Sequence, residues 1–228
     1  MQIVSVPAEA MVDPALNLTS IVERHASDTS NPVLYRWQMS PGNWQDIHAH
    51  QFHDMVVSVA KGLIAHGVKP GDRIGIMSRT RFEWALIDFA IWYAGAISVP
   101  IYETNAPAQV AWALSHSEAQ AIFVENDNLV QITDKAHKFH PLNIKNRWVI
   151  ENGDLDMLIR AGLDVSDAEL EAARTHAHAD SLATIVYTSG TTGKPKGCAL
   201  THGNFLNLSL NTRIAEPEIA NPRSSSLI

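Results

Sequence analysis

The stretch Tyr187-Thr188-Ser189-Gly190-Thr191-Thr192-Gly193-Lys194-Pro195-Lys196-Gly197 crowds three glycines and four aliphatic hydroxyls into eleven positions, with a lysine on each side of a proline. Glycine has no Cβ, so a ligand can approach the main chain closely and the backbone can reach positive φ. Such a loop can turn successive N–H groups toward one point and form an anion-binding nest. The hydroxyls add donors and magnesium ligands, and the lysines add positive charge. That set of groups suits a triphosphate. Pro195 biases Lys194 toward an extended backbone, and residues two apart on an extended segment project to the same side. Lys194 and Lys196 can then converge on one ligand.

Familiar phosphate loops do not account for the stretch. A Walker A loop needs Gly, four residues, Gly, Lys and Ser or Thr, and neither Gly190 nor Gly193 opens that frame. The dinucleotide pattern fails because Thr191 and Thr192 follow Gly190. Ser189 is not a nucleophile elbow, since Tyr187 and Thr191 stand where glycines are required. By composition alone, a solvated Ser/Thr/Gly hairpin turn is as good a reading as phosphate binding.

The order of the eleven residues, followed by Leu200-Thr201-His202, resembles the signature loop of the adenylate-forming superfamily. That group includes acyl-CoA synthetases, luciferases and the adenylation domains of peptide synthetases. Gly67-Val68-Lys69-Pro70-Gly71-Asp72-Arg73, the helix around Trp84 and the run from Gly95 to Thr104 are similar to the N-terminal domain of long-chain acyl-CoA synthetases. Val99 to Thr104 particularly resembles the bacterial and plant-type fatty acyl enzymes. The resemblance covers roughly residues 20–212.

It implies a fatty acid substrate, ATP with Mg2+, and coenzyme A as co-substrate in a two-step reaction. An acyl-adenylate forms first, and a thiol then displaces AMP. It also implies that Thr188, Ser189, Gly190, Thr191, Thr192, Gly193 and Lys196 hold the nucleotide phosphates, with Thr188 helping to place the magnesium and Lys194 assisting. The family's catalytic lysine is expected downstream, so no catalytic residue is assigned within these residues. Also expected downstream are the adenine-binding segment, a magnesium glutamate, the ribose aspartate and the small C-terminal domain. The chain therefore reads as residues 1–16, a loose arm, and residues 17–228, a truncated N-terminal AMP-binding domain with little activity of its own. A fatty acyl-AMP ligase, an adenylation enzyme for another acid, and a non-catalytic nucleotide-binding module remain alternatives.

The elements that must position the loop follow from pattern. Leu18 to Ala26 reads as a short helix, and Val33 to Trp37 as a strand ending at Ser40-Pro41-Gly42. Phe52, Met55, Val56, Val59, Leu63 and Ile64 recur at helical spacing within a helix expected from about Trp44 to His66. Gly67 stops it. Strands are expected at Arg73–Met77, at Ile97–Tyr102 with Pro100 marking an edge or an end, at Ala121–Glu125 and at Trp148–Ile150. Helices are expected at Arg81–Tyr93, Ala106–Ser115 and Asn128–Lys138. Residues 151–165 read as loop and short helix, and Ser166 to His176 as a polar helix whose Ser166 and Glu169 form a capping box. Leu182, Ile185, Val186 and Tyr187 read as a buried strand feeding the loop, and Thr201 as the cap of a helix through Leu210. Helix and strand alternate, which predicts an α/β fold with a mostly parallel sheet covered on both faces and ligands at the carboxyl ends of its strands.

Other clusters point to structure rather than chemistry. His48, His50 and His53, beside Asp46 and Asp54, read as a polar face, since only His50 and His53 share a helix face. His176 and His178 are similarly poor metal ligands. Trp84, Phe89, Trp92 and Tyr93 read as core, and His202 as a packing or capping residue. Cys198 reads as a small buried side chain.

The formal net charge of −7 over 228 residues argues against nucleic acid as the main partner. A single cysteine excludes an internal disulfide and fits a reducing compartment. No apolar run approaches the length of a membrane span, which leaves peripheral membrane contact open. The start of the chain, with Glu9 and Asp13 and no basic cluster, does not read as a signal peptide. Cytoplasmic is the expected location.

Overall fold

Thr19–Ala26 forms helix α1 in the computed structural model, which describes residues 10–188 and 194–215. Of the loose arm expected over residues 1–16, residues 1–9 lie outside the described residues, and residues 10–16 are held at several points. The Val12 N–H donates to Asn207 Oδ1 at 3.3 Å, and the Ala179 N–H donates to the Pro14 carbonyl at 3.1 Å. Val33–Ser40 (β1) and Asn43–His48 (β2) then form an antiparallel hairpin across a turn in which Gly42 adopts φ +79°. The helix expected from Trp44 is therefore shorter: α2 spans Ala49–Ala65. Its whole apolar stripe begins at Phe52, whereas Trp44 to His48 lack that stripe and pair with β1 instead.

From here the chain alternates. Arg73–Met77 (β3), Phe82–Tyr93 (α3), Ile97–Ile101 (β4), Pro107–His116 (α4), Ala121–Val124 (β5), Asp127–Ala136 (α5) and Asn146–Val149 (β6) follow the expected order with ends moved by a residue or two. Asp154–Ala161 (α6) occupies the weakly patterned region. Asp167–Arg174 (α7) opens on the expected capping box of Ser166 and Glu169. Leu182–Thr188 (β7), Lys196–Thr201 (β8) and His202–Ala215 (α8) complete the described residues.

The main sheet has the order β6-β5-β3-β4-β7-β8, parallel except for β8. Pro100 stands one residue from the end of β4, a strand flanked on both sides, so it marks an end and not an edge. Period-two alternation divides the sheet between two cores. Ile74, Ile76, Phe123 and Trp148 face α2 and α3, and Met77, Val99, Ile101, Ile122 and Val124 face α4 and α5. The chain steps from β3 to β4 through α3 and back past β3 to β5 through α4. Right-handed crossovers of opposite direction put those two helices on opposite faces. Trp92 and Tyr93 are buried, as expected of core aromatics.

On the first face α2 meets α6 with no room for side chains. A Cβ on Gly62 would overlap the Leu158 carbonyl, and one on Gly162 would lie 2.5 Å from the Gly62 nitrogen. The obstacles are main-chain atoms, which cannot rotate away. Gly62→Ala would gain about 1 kcal/mol of helix propensity and lose up to about 3 kcal/mol to overpacking. A net destabilisation of roughly 2 kcal/mol, read as a lower denaturant midpoint, is the expected result. An unchanged midpoint would show that the two helices separate freely.

Candidate functional site

β7 runs parallel to β4, to which it is bridged at Ser98 and Thr184, so its carboxyl end lies on the side of the sheet where ligands collect. The Thr184 hydroxyl donates to the Ser98 carbonyl at 3.0 Å and reinforces this seam. Beyond Thr188 the chain returns as β8, antiparallel, with Tyr187 opposite Gly197 and Thr188 opposite Lys196. β7 and β8 are thus the two legs of a hairpin that flank the glycine-rich stretch. Thr188 and Lys196, eight positions apart in sequence, become cross-strand partners at its mouth, and both are exposed. Ser189, Gly190, Thr191, Thr192 and Gly193 lie outside the described residues.

Gly197 packs closely under two side chains of β7. A Cβ there would stand 3.1 Å from Ile185 Cγ2 and 3.3 Å from Tyr187 Cζ. Ile185 and Tyr187 themselves lean on the core between the sheet and α4. The strand is less buried than its apolar run predicts. Ala183 and Thr184 are buried, Ile185, Val186 and Tyr187 are half-buried, and Leu182 is exposed. Cys198 is exposed too, not buried, because β8 is the outermost strand in the order.

Helix α4 reaches both legs of the hairpin, a role the sequence reading did not give it. His116 Nδ1 and the Tyr187 hydroxyl are hydrogen-bonded at 2.8 Å on the incoming leg. On the outgoing leg the Trp112 indole N–H donates to the Pro195 carbonyl at 2.8 Å. Lys194, read as converging with Lys196, has its ammonium 4.3 Å from the centre of the Trp112 ring. Desolvation in this setting raises the Tyr187 pKa above the ordinary phenol value, so the hydroxyl stays protonated. The four-residue spacing of Trp112 and His116 was the available signal, but nothing local links it to a strand some seventy residues later.

After β8, Thr201 caps α8 as expected. The Asn204 N–H donates to Thr201 Oγ1 at 3.2 Å, and the Thr201 N–H returns to Asn204 Oδ1 at 2.8 Å. His202 is buried, accepts the Leu18 N–H on Nδ1 at 3.3 Å and meets Trp92 edge-on. Burial pushes its pKa down to about 4, so it is a neutral packing residue at pH 7.

His48, His50 and His53 serve the α2 surface. His48 Nδ1 contacts the Asn31 carbonyl at 2.8 Å, and His53 lies between Glu23 and Asp54. Among the described residues no group of three or more His, Cys, Asp or Glu is placed to hold a metal ion. No helix among them is long and apolar enough to cross a membrane.

Residues 22–226 match the family model described as AMP-binding enzyme. The chain is 38% identical over 221 residues to the long-chain-fatty-acid–CoA ligase FadD15 of Mycobacterium bovis, covering 96% of this chain and 37% of that ligase. It is 32% identical over 162 residues to the peroxisomal long chain acyl-CoA synthetase 7 of Arabidopsis thaliana, covering 65% of this chain and 23% of the synthetase. It thus spans little more than a third of the length of the first of these relatives. Among solved structures, a long-chain-fatty-acid-CoA ligase from Archaeoglobus fulgidus superposes with a TM-score of 0.73 at 17% identity, over 93% of this chain and 42% of that one. An anthranilate CoA ligase in complex with anthranoyl-AMP gives 0.69 at 20% identity, over 87% and 36%. The shared fold is the α/β one expected.

Proposed function

The chain belongs to the AMP-binding enzyme family, and from that membership we propose that it forms the N-terminal part of a long-chain fatty acid–CoA ligase. The observation that carries the reading is the 38% identity to such a ligase across 96% of the chain, signature hairpin included. In this reaction a carboxylate oxygen attacks the α-phosphorus of ATP, giving an acyl-adenylate and releasing pyrophosphate. The thiol of coenzyme A then attacks the acyl carbon, and AMP leaves. A free carboxylate is a poor acyl donor, and adenylation supplies the leaving group.

The protein's task in the first step is to hold anionic oxygens in line and neutralise the charge growing on pyrophosphate. Thr188, Ser189, Thr191 and Thr192 offer hydroxyls, Gly190 and Gly193 offer backbone N–H groups, and Lys196 offers a cation. Thr188 and Lys196 fit that task, because both are exposed and face each other across the hairpin mouth. Thr188 is the residue that would help to place Mg2+, whose chemistry is to screen the phosphate oxygens. A cytoplasmic setting belongs to this reading, supported by the lone cysteine.

The test is exchange of labelled pyrophosphate into ATP by the complete enzyme. Exchange driven by long-chain fatty acids, with acyl-CoA formed once coenzyme A is added, is the expected result. Exchange driven only by an aryl or amino acid would reject the fatty acid assignment. Adenylate that persists in the presence of coenzyme A would reject the acceptor.

A further inference from the structure

Trp112 and His116 stand four residues apart on one face of α4, their rings stacked at 4.8 Å with 30° between planes. Each grips a different leg of the β7–β8 hairpin, His116 through the Tyr187 hydroxyl and Trp112 through the Pro195 carbonyl. His140, from the segment after α5, approaches the Trp112 ring at 5.9 Å. Lys194 rests on the same indole. All the residues proposed to hold phosphate, apart from Lys196, lie between the two gripped points in sequence.

We infer that Trp112 and His116 are positioning residues for the phosphate loop: α4 clamps both stems of the hairpin and so sets the separation and direction from which the loop starts. This rests on the reading of that loop as the ATP site. The physical need follows from composition. Gly190 and Gly193 are two of the five residues between Thr188 and Lys194, and fixing a glycine backbone around a triphosphate costs more conformational entropy than fixing any other residue. Fixing the stems beforehand reduces what binding must order. Pro195 precedes the first residue of β8, and its carbonyl accepts a hydrogen bond from the Trp112 indole. The indole also seats Lys194 on α4, which leaves Lys196 as the cation opposite Thr188.

The clamp touches no reacting atom, so its signature is a selective effect on nucleotide binding. In the complete ligase, assayed by pyrophosphate exchange, Trp112→Leu should raise KM for ATP about tenfold, the combined size of one hydrogen bond and one cation–π contact. KM for the fatty acid and kcat should stay within about twofold of the parent, since uniform binding alone is removed. Trp112→Phe keeps the stacked ring and the Lys194 seat but not the N–H, and Tyr187→Phe removes the hydroxyl that His116 holds. Each should raise KM for ATP by about threefold.

An active parent whose KM for ATP is unchanged in all three variants would overturn the clamp. So would equal rises in both KM values together with a lower thermal midpoint, which would mark these residues as general packing. If Trp112→Leu does not fold, the two phenylalanine variants decide by the same criteria. A parent that exchanges pyrophosphate only with a different acid leaves the clamp standing and removes the fatty acid reading. A parent with no acid-dependent exchange overturns both.

Discussion

Lys196→Ala in the complete ligase is expected to lower fatty-acid-dependent pyrophosphate exchange about 100-fold, the usual cost of removing one preorganised group that meets developing charge. The expectation follows from position. Lys196 opens β8, is cross-strand partner to Thr188 and is exposed at the mouth of the hairpin. Lys194, two residues earlier, is engaged with Trp112, so Lys194→Ala should act mainly through loop placement and cost far less. The exchange assay should therefore rank the two lysines clearly. Equal losses, or unchanged exchange in Lys196→Ala, would remove Lys196 from the proposed phosphate site.

Asp88→Asn should stabilise the protein at pH 8 and leave it nearly unchanged near pH 4. Asp88 lies on α3 with 8% of its surface exposed, and burial raises its pKa from 3.8 to about 7. The Ser98 hydroxyl acts the other way, but its Oγ makes no hydrogen bond among the described residues. Asp88 Oδ1 and Ser98 Oγ are both buried without a hydrogen-bond partner among the described residues.

The sign follows from the proton count. The folded state keeps the Asp88 proton to higher pH than the unfolded chain. Its contribution to stability is therefore complete below the unfolded value of 3.8 and is lost as pH rises through about 7. The total comes to roughly 4 kcal/mol by the usual conversion of pKa shift to free energy. Asparagine has the same shape and no charge to desolvate. Thermal midpoints of parent and variant should diverge between pH 4 and 7 and run parallel above. Parallel curves across the whole range would show that Asp88 is hydrated or paired when folded.

Neither Asp88 nor the α4 clamp stands out in the sequence. Asp88 sits in an apolar helix as single charged residues on exposed faces also do, and only packing against the sheet makes it an orphan. Trp112 and His116 look like ordinary members of α4. Their partners at Tyr187 and Pro195 are distant in sequence, and only the parallel placement of β7 beside β4 brings them near. The same limit explains the errors at β2 and Cys198. Trp44 to His48 has no strong period of its own and takes its state from pairing with β1. Cys198 is apolar in its local context, but its burial depends on whether β8 has a neighbour on its far side.

What the sequence determined by itself was local or covalently contiguous. The signature loop, the caps at Ser166 and Thr201, the glycine stop at Gly67 and the order of strands and helices depend on residues a few positions apart, so their physics is complete within a short window. Tertiary structure decided which ends meet. It made Thr188 and Lys196 neighbours, seated Lys194 on Trp112, and buried Asp88 and His202 far from their ordinary pKa values. Burial and long-range pairing are properties of the surfaces that surround a residue, and those surfaces exist only once the sheet has formed.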